Sequence, residues 1–208
     1  MVIDVGGGRS SRLTSILDHE ELRSVISLDV SLEELRLNFG VRKRCVADMS
    51  RAIPMSDNSI AMMVSRSVVE HMMDVNHFLE ESYRVMEPGG VCIHFFPSSN
   101  SPFALVNRAL PNSLTKKLIH AIYEESKGIC GFPAHYDQCT YSKFRRAAVN
   151  KGFEIEEVFC GYHQSHYFGF FLPAFVLFAF YDWLIYSTDQ RALCAYLIFV
   201  MRKPALEK

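Results

Sequence analysis

The sequence has no charge surplus. It holds 22 Lys and Arg against 23 Asp and Glu, so no global field draws the chain toward nucleic acid or an anionic surface. It also lacks a long basic run that could track phosphates, and nucleic acid is not an expected partner. Cysteine is present but unclustered. Cys45, Cys92, Cys130, Cys139, Cys160 and Cys194 form no C-x-x-C pair and no tight group with histidine, so no metal site is expected. Reduced, buried thiols in a cytoplasmic setting follow instead. There is no internal repeat and no low-complexity tract. A secretory leader is not expected either, because Asp4 and three glycines interrupt what would have to be its apolar region. Apolar residues are not scarce: they make up 49% of 208 residues, enough for the core of one domain.

The apolar run Met1 to Val5 leads directly into Gly6, Gly7 and Gly8. Glycine has no Cβ and tolerates positive φ, so the run predicts a tight strand-to-helix turn that a ligand can approach closely. A plain structural turn is the alternative, and a dinucleotide fingerprint would need glycine where Ser11 stands.

Beyond the turn, Leu13, Ile16, Leu17 and Leu22 recur at helical spacing, and Ser24 to Val30 reads as a β-branched strand. A helix over Ser31 to Phe39 and strands over Arg44 to Ala47 and Ser59 to Ser65 follow. Asp74 to Met86 carries Val75, Phe78, Leu79, Ser82, Val85 and Met86 at helical intervals, and Pro88-Gly89-Gly90 should stop that helix before a strand over Val91 to Phe96. Helices at Pro102 to Ala109 and Leu114 to Glu125 form an insertion over the sheet's carboxyl edge. Helix Tyr141 to Lys151, strand Phe153 to Cys160 and strand Leu193 to Met201 complete the chain. This alternation predicts a doubly wound, Rossmann-like α/β fold: a mostly parallel seven-stranded sheet with an antiparallel last strand and a helical insertion after strand 5. The single domain divides into a cofactor-binding half (1–100), the insertion (101–140) and a C-terminal part (141–208).

Four stretches, in this order, resemble the class I S-adenosylmethionine-dependent methyltransferases, and in particular the ubiquinone/menaquinone methyltransferase-like subgroup. They are VIDVGGG, SLDVS, VADMSRAIPMSDNSIAMMVSRSVVEHM and RVMEPGGV. The resemblance covers about residues 2 to 100, with Ser10 in place of the family's usual third glycine. It implies S-adenosyl-L-methionine as cofactor, with Asp4, Gly6, Gly7 and Gly8 passing under its methionine part. Asp29 would accept hydrogen bonds from the ribose hydroxyls, Asp48 and Met49 would flank the adenine, and Ser65 would face the cofactor from the end of the fourth strand. It also implies helical cover ahead of the first strand, which a longer start or a partner chain would supply. Each residue has an ordinary alternative as well: Asp29 as a capping residue, Met49 as core filler.

Methyl transfer is an in-line displacement, so the protein chiefly aligns the acceptor and excludes water, and a histidine or carboxylate serves where a proton must leave. Candidates near the carboxyl edge are Glu70 and His71, His135 and Tyr136 in FPAHYDQCT, and His163 and His166. Of these, His71 is expected to line the pocket, and His135 or Tyr136 to meet the substrate. The twenty residues Tyr167 to Tyr186 carry one charge, Asp182. They read as a helix packed over the insertion, as an aromatic element lying on a membrane surface, or as a span that Pro173 and Asp182 disfavour. The expected function is methyl transfer to a small-molecule acceptor that is apolar and lipid- or saccharide-linked. The alternative is a non-catalytic binding or membrane-associated assembly protein with the same fold. Partners left open are peripheral membrane contact through 167–186 and a homodimer.

Overall fold

A computed structural model describes residues 1–102, 104–105 and 132–205. Its strands are β1 (Val2–Val5), β2 (Val25–Asp29), β3 (Lys43–Val46), β4 (Ile60–Arg66), β5 (Met86–Pro97), β6 (Glu154–Gly161) and β7 (Tyr196–Arg202). They form one sheet in the order β3-β2-β1-β4-β5-β7-β6. The first five are parallel, and β7 runs antiparallel between β5 and β6, so the predicted fold is the observed one. The strand order reverses between β1 and β4, which opens a crevice at their carboxyl ends, where ligands bind in such sheets.

Alternation fixes which side chains meet which layer. Ile3, Val5, Met63, Cys92, Phe96, Leu197 and Phe199 are buried on one face. That face is covered by α2 (Val75–Val85) and α3 (Tyr141–Asn150). Phe144 of α3 meets Phe96 and Phe199 with ring centroids 4.7 Å from each, and Phe78 of α2 meets His94 at 5.5 Å. The opposite face, with Val2, Met62, Val64, Ile93, Ile198 and Val200, is only half-buried.

Several boundaries differ from the sequence expectation. The segment after the glycines forms two 3-10 turns, Arg12–Ser15 and Glu21–Ser24, in place of a helix. Asp18 intervenes: its Oδ1 accepts the N–H groups of Glu20 and Glu21, both at 2.9 Å, offering the backbone an alternative to helical pairing. The helix expected over Ser31 to Phe39 is α1, Leu32–Arg36, capped by the Ser31 hydroxyl. Pro88-Gly89-Gly90 do not separate helix from strand. Strand β5 begins at Met86, and the register shift opposite Ile60 and Met62 absorbs the extra residues as a bulge. Residues Arg191–Leu193 form a 3-10 turn, so β7 starts at Tyr196. The helices expected at Pro102 to Ala109 and Leu114 to Glu125 fall almost wholly outside the described residues.

The apolar segment forms α4, Leu172–Ser187. Asp182 turns inward and is buried, its Oδ2 accepting the N–H groups of Gln164 and Ser165 at 2.8 Å each. The helix is otherwise poorly covered: Leu172 is 71% exposed, Leu177 65% and Trp183 59%. No described helix is long and apolar enough to cross a membrane.

An ionic clamp ties the loop after β3 to α2. Arg84 donates to Ile53 O, Met55 O and Asp57 Oδ1 and to both oxygens of Glu81 at 2.7 Å, while Glu81 Oε2 also accepts the Ile53 N–H at 3.0 Å. Hydrogen bonding from Arg84 holds the Glu81 carboxyl at about 2, against burial, from an ordinary 4.5. Folded Glu81 therefore stays ionised where the unfolded chain already binds a proton, so this stabilisation is full above about pH 4.5 and is lost as pH falls toward about 2. Glu81→Gln should lower stability by a constant margin above pH 5 and converge on the wild type below it. Urea denaturation from pH 2.5 to 7 reads this, and a margin that does not change with pH would disprove the account.

Candidate functional site

At the reversal between β1 and β4, a cleft of about 460 Å³ opens between the glycine turn, the ends of β2 and β3, and the turn after β4. The local chemistry of the turn explains its shape. Gly6 and Gly7 both direct their N–H groups to Leu28 O, at 2.8 and 3.2 Å, pulling the loop over the end of β2. Gly6 adopts φ 70°, and a Cβ there would lie 2.2 Å from Val68 Cγ2, so no larger residue fits. Gly8, at φ 45°, donates its N–H to Asp29 Oδ2 at 3.0 Å, while Asp29 Oδ1 accepts the Ser31 N–H at 2.8 Å. Each Asp29 oxygen thus keeps lone-pair capacity for a hydroxyl donor in the cleft.

Seven of the expected site residues line this one cleft: Gly6, Gly8, Asp29, Asp48, Met49, His71 and His135. The Arg84 clamp fixes the loop that carries Asp48 and Met49. His71 sits in the 3-10 turn Val69–His71, with its Nδ1 2.9 Å from Pro133 O. A carbonyl only accepts, so Nδ1 carries the hydrogen and the neutral ring leaves Nε2 as the basic nitrogen. The 132–136 segment is tied to the same turn, because the N–H groups of His135 and Tyr136 both reach Glu70 O, at 2.7 and 2.9 Å.

The remaining expected residues lie elsewhere. Asp4, Gly7 and Ser65 line an adjoining hollow of about 640 Å³ on the half-buried sheet face, with Gly6 shared between the two spaces. Burial pushes the Asp4 carboxyl up, a Ser11 hydrogen bond opposes this, and the Asp29 charge adds to it. Its Oδ2 has no hydrogen-bond partner. The Ser65 hydroxyl is 2.8 Å from His94 Nδ1 in the core, which occupies it away from the cleft. Tyr136 packs into the hydrophobic core at φ 55°, placing its ring behind the cleft wall. His163 and His166 are exposed beyond β6 and line neither space.

The motifs do not point to several residues that complete the site. Buried Asn38 donates to Gly8 O at 3.0 Å and accepts from Val41 at 3.2 Å, bracing the glycine turn from outside it. Val30, Val68, Met72, Phe132 and Pro133 give the cleft apolar walls. These positions carry no spacing or residue signal of their own. Among the described residues no cluster could hold a metal ion.

The donor set suits S-adenosylmethionine: a bare backbone turn, acceptor capacity on Asp29, an unpartnered buried oxygen on Asp4, and a cleft whose charged lining side chains are acidic (Asp29, Glu34 and Asp48). Residues 3–94 match the family model described as "Methyltransferase domain". No curated protein matches the chain in sequence. Among solved structures, it is similar to an S-adenosylmethionine-dependent methyltransferase from Mesorhizobium loti (16% identity, TM-score 0.60, covering 97% of this chain and 89% of that one). It is also similar to geranyl diphosphate C-methyltransferase from Streptomyces coelicolor, solved with S-adenosyl-L-homocysteine (14%, TM-score 0.58, 97% and 73%). A third is phosphoethanolamine N-methyltransferase 2 from Haemonchus contortus, solved with S-adenosyl-L-methionine (15%, TM-score 0.58, 98% and 48%). At these identities the likeness establishes the fold, and the family match covers residues 3–94, a little under half of the chain. The glycine turn and the acidic end of β2 thus lie in the stretch that matches a methyltransferase domain, within a fold shared with S-adenosylmethionine-dependent methyltransferases.

Proposed function

We propose that the cleft transfers a methyl group to a small-molecule acceptor that is apolar and lipid- or saccharide-linked. The observation that carries this reading is the convergence of Gly6, Gly8 and Asp29 on one wall of a single cleft with His71 and His135 on the other. When bound, S-adenosylmethionine supplies an electrophilic methyl group. The chain does the rest. Gly6 and Gly8 give backbone room, Asp29 receives ribose hydroxyls, and Asp48 and Met49 bound the adenine end. His71 takes a proton from the acceptor through Nε2, and His135 meets the acceptor at the rim. Val68, Met72 and Phe132 make the walls apolar, which favours an apolar acceptor and keeps water out. The Streptomyces neighbour, named for geranyl diphosphate, supports such a class of acceptor. The Glu70–His71 pair and RVMEPGGV support the ubiquinone/menaquinone methyltransferase-like subgroup.

Calorimetric titration with S-adenosylmethionine should show micromolar binding. Asp29→Ala should weaken it about tenfold or more, since hydrogen bonds to a charged group are worth roughly 1.5–3 kcal/mol. Circular dichroism verifies that the variant is folded. A folded wild type that binds no cofactor, or an Asp29→Ala variant with undiminished affinity, would refute this assignment.

A second reading is favoured by α4. It follows β6, whose carboxyl end lies on the same sheet edge as the cleft, and with the two residues leading into it, Phe170 and Phe171, it exposes Leu172, Leu177, Phe180 and Trp183. Isolated exposed apolar residues are ordinary, but a contiguous set marks a contact surface. On this reading α4 lies on a lipid surface and admits a lipid-linked acceptor, or the chain assembles there without chemistry. The chain should float with phosphatidylcholine vesicles, and Phe180→Glu with Trp183→Glu should release it. Wild-type protein that stays in the bottom fraction would rule out the lipid surface.

A further inference from the structure

A carboxyl with no Lys or Arg counter-ion among the described residues lies behind the cleft. Glu70 is 5% exposed, and its Oε2 has no hydrogen-bond partner. Oε1 stands 3.9 Å from His71 Nε2, the nitrogen left basic by the Nδ1 contact with Pro133. The other titratable groups that face Glu70 come from the 132–140 segment. They are the Cys139 thiol, pushed up first by burial and then by the Glu70 and Asp137 charges, and Asp137, whose carboxylate is occupied by the Val75 N–H. His135 is held to Glu70 by its backbone. No Lys or Arg among the described residues pairs with Glu70.

A buried, unpaired carboxyl is costly unless it is neutralised or put to use. Among the described residues, its ionisable partner within ion-pair distance is the histidine on the cleft wall. We propose that Glu70 is the positioning residue for His71: its carboxylate, 3.9 Å from Nε2, sets the basicity of that nitrogen through its charge. The backbone of the same residue anchors the strand of chain that supplies Pro133 and His135, so Glu70 fixes both the orientation and the charge of the cleft's proton acceptor.

The purpose of the pair rests on the methyl-transfer reading. The acceptor's O–H or N–H would give its proton to Nε2 and keep the electron pair for its new bond to the methyl carbon, whose bond to the cofactor's sulfur would break with that pair staying on sulfur. The resulting imidazolium then lies beside a carboxylate in a site of low polarity, where the attraction is stronger than in water. Burial pushes Glu70 up to about 7, and a hydrogen bond from its own backbone N–H offsets only part of this. Glu70 therefore changes its charge near neutral pH, and with it the field at His71 Nε2.

The existence of the pair is independent of activity. In the full chain without cofactor, proton–nitrogen NMR should show the His71 ring nitrogens responding to two steps. In Glu70→Gln the second step should vanish and the remaining His71 midpoint should fall by about half a pH unit or more, because a neighbouring carboxylate is lost. The Glu70 side-chain carbon resonance of the wild type tests the same point without any substitution. It should titrate well above 4.5 with a step shared by His71. A His71 curve unchanged by Glu70→Gln, or a lone Glu70 step near 4.5, would overturn the proposal. In turnover, Glu70→Gln should lower kcat with little change in KM. A coupled NMR titration in a chain that transfers no methyl group would leave the pair standing and defeat the functional reading.

Discussion

Gly6 leaves β1 at φ 70° with Val68 Cγ2 in the space where a side chain would stand. That contact sets the spacing of the crevice. It lets the turn after β4 close on the turn after β1, so that the ends of neighbouring parallel strands meet without a side chain between them. The Gly8 N–H then reaches Asp29 at the end of β2, and the 3-10 turn bearing His71 comes to face it across the cleft. A Cβ at Gly6 would push the two turns apart and separate the acceptor groups on one wall from the histidines on the other.

The walls are braced from behind by groups that do not line the cleft. Asn38 holds the glycine turn, Arg84 with Glu81 holds the Asp48 loop to α2, and Glu70 O holds the 132–136 segment. Each brace joins elements far apart in sequence through backbone hydrogen bonds. Functional groups on loops keep their geometry only when such contacts over-determine them. Both ends of α2 take part in this bracing: Val75 at its start pairs with Asp137, and Arg84 near its end gathers Ile53, Met55 and Asp57. The cleft is thus mounted on the well-packed face of the sheet, while the opposite face, with Asp4 and the adjoining hollow, stays half-buried.

Much of this was legible in the residues. Buried parallel strands read as apolar runs, and VIDV, SVISLDV and SIAMMVS were found within a residue or two. The four ordered motifs brought six of the expected site residues into one cleft, and His135 joined them from outside the motifs. What failed to show has physical reasons. Helical spacing of Leu13, Ile16, Leu17 and Leu22 was overridden by the Asp18 side chain, which competes for backbone donors. Pro88-Gly89-Gly90 resembled a helix stop because a β-bulge uses the same residues. Tyr136 shares a loop with His135, but opposite sides of one turn face the core and the solvent. The apolar run from Tyr167 specified a helix and said nothing of how little of it would be covered.

Glu70 and Glu81 lie eleven positions apart, and their surroundings push them in opposite directions. Glu81 meets a guanidinium and the Ile53 backbone N–H, so its charged form is favoured in the folded chain and it behaves as a structural anion. Glu70 meets a thiol, a histidine and apolar walls, so its neutral form is favoured. The linkage has opposite signs. Glu81 stabilises the fold above about pH 4.5. Glu70 favours it most below that value, and its contribution is lost as pH rises through about 7. A buried carboxyl that weakens the fold at neutral pH would be easy to replace with glutamine if packing were its whole role. Carboxyls whose environments drive them apart are the pattern by which one fold separates structural charge from proton exchange. Of the two, it is the destabilising one that stands beside the cleft histidine.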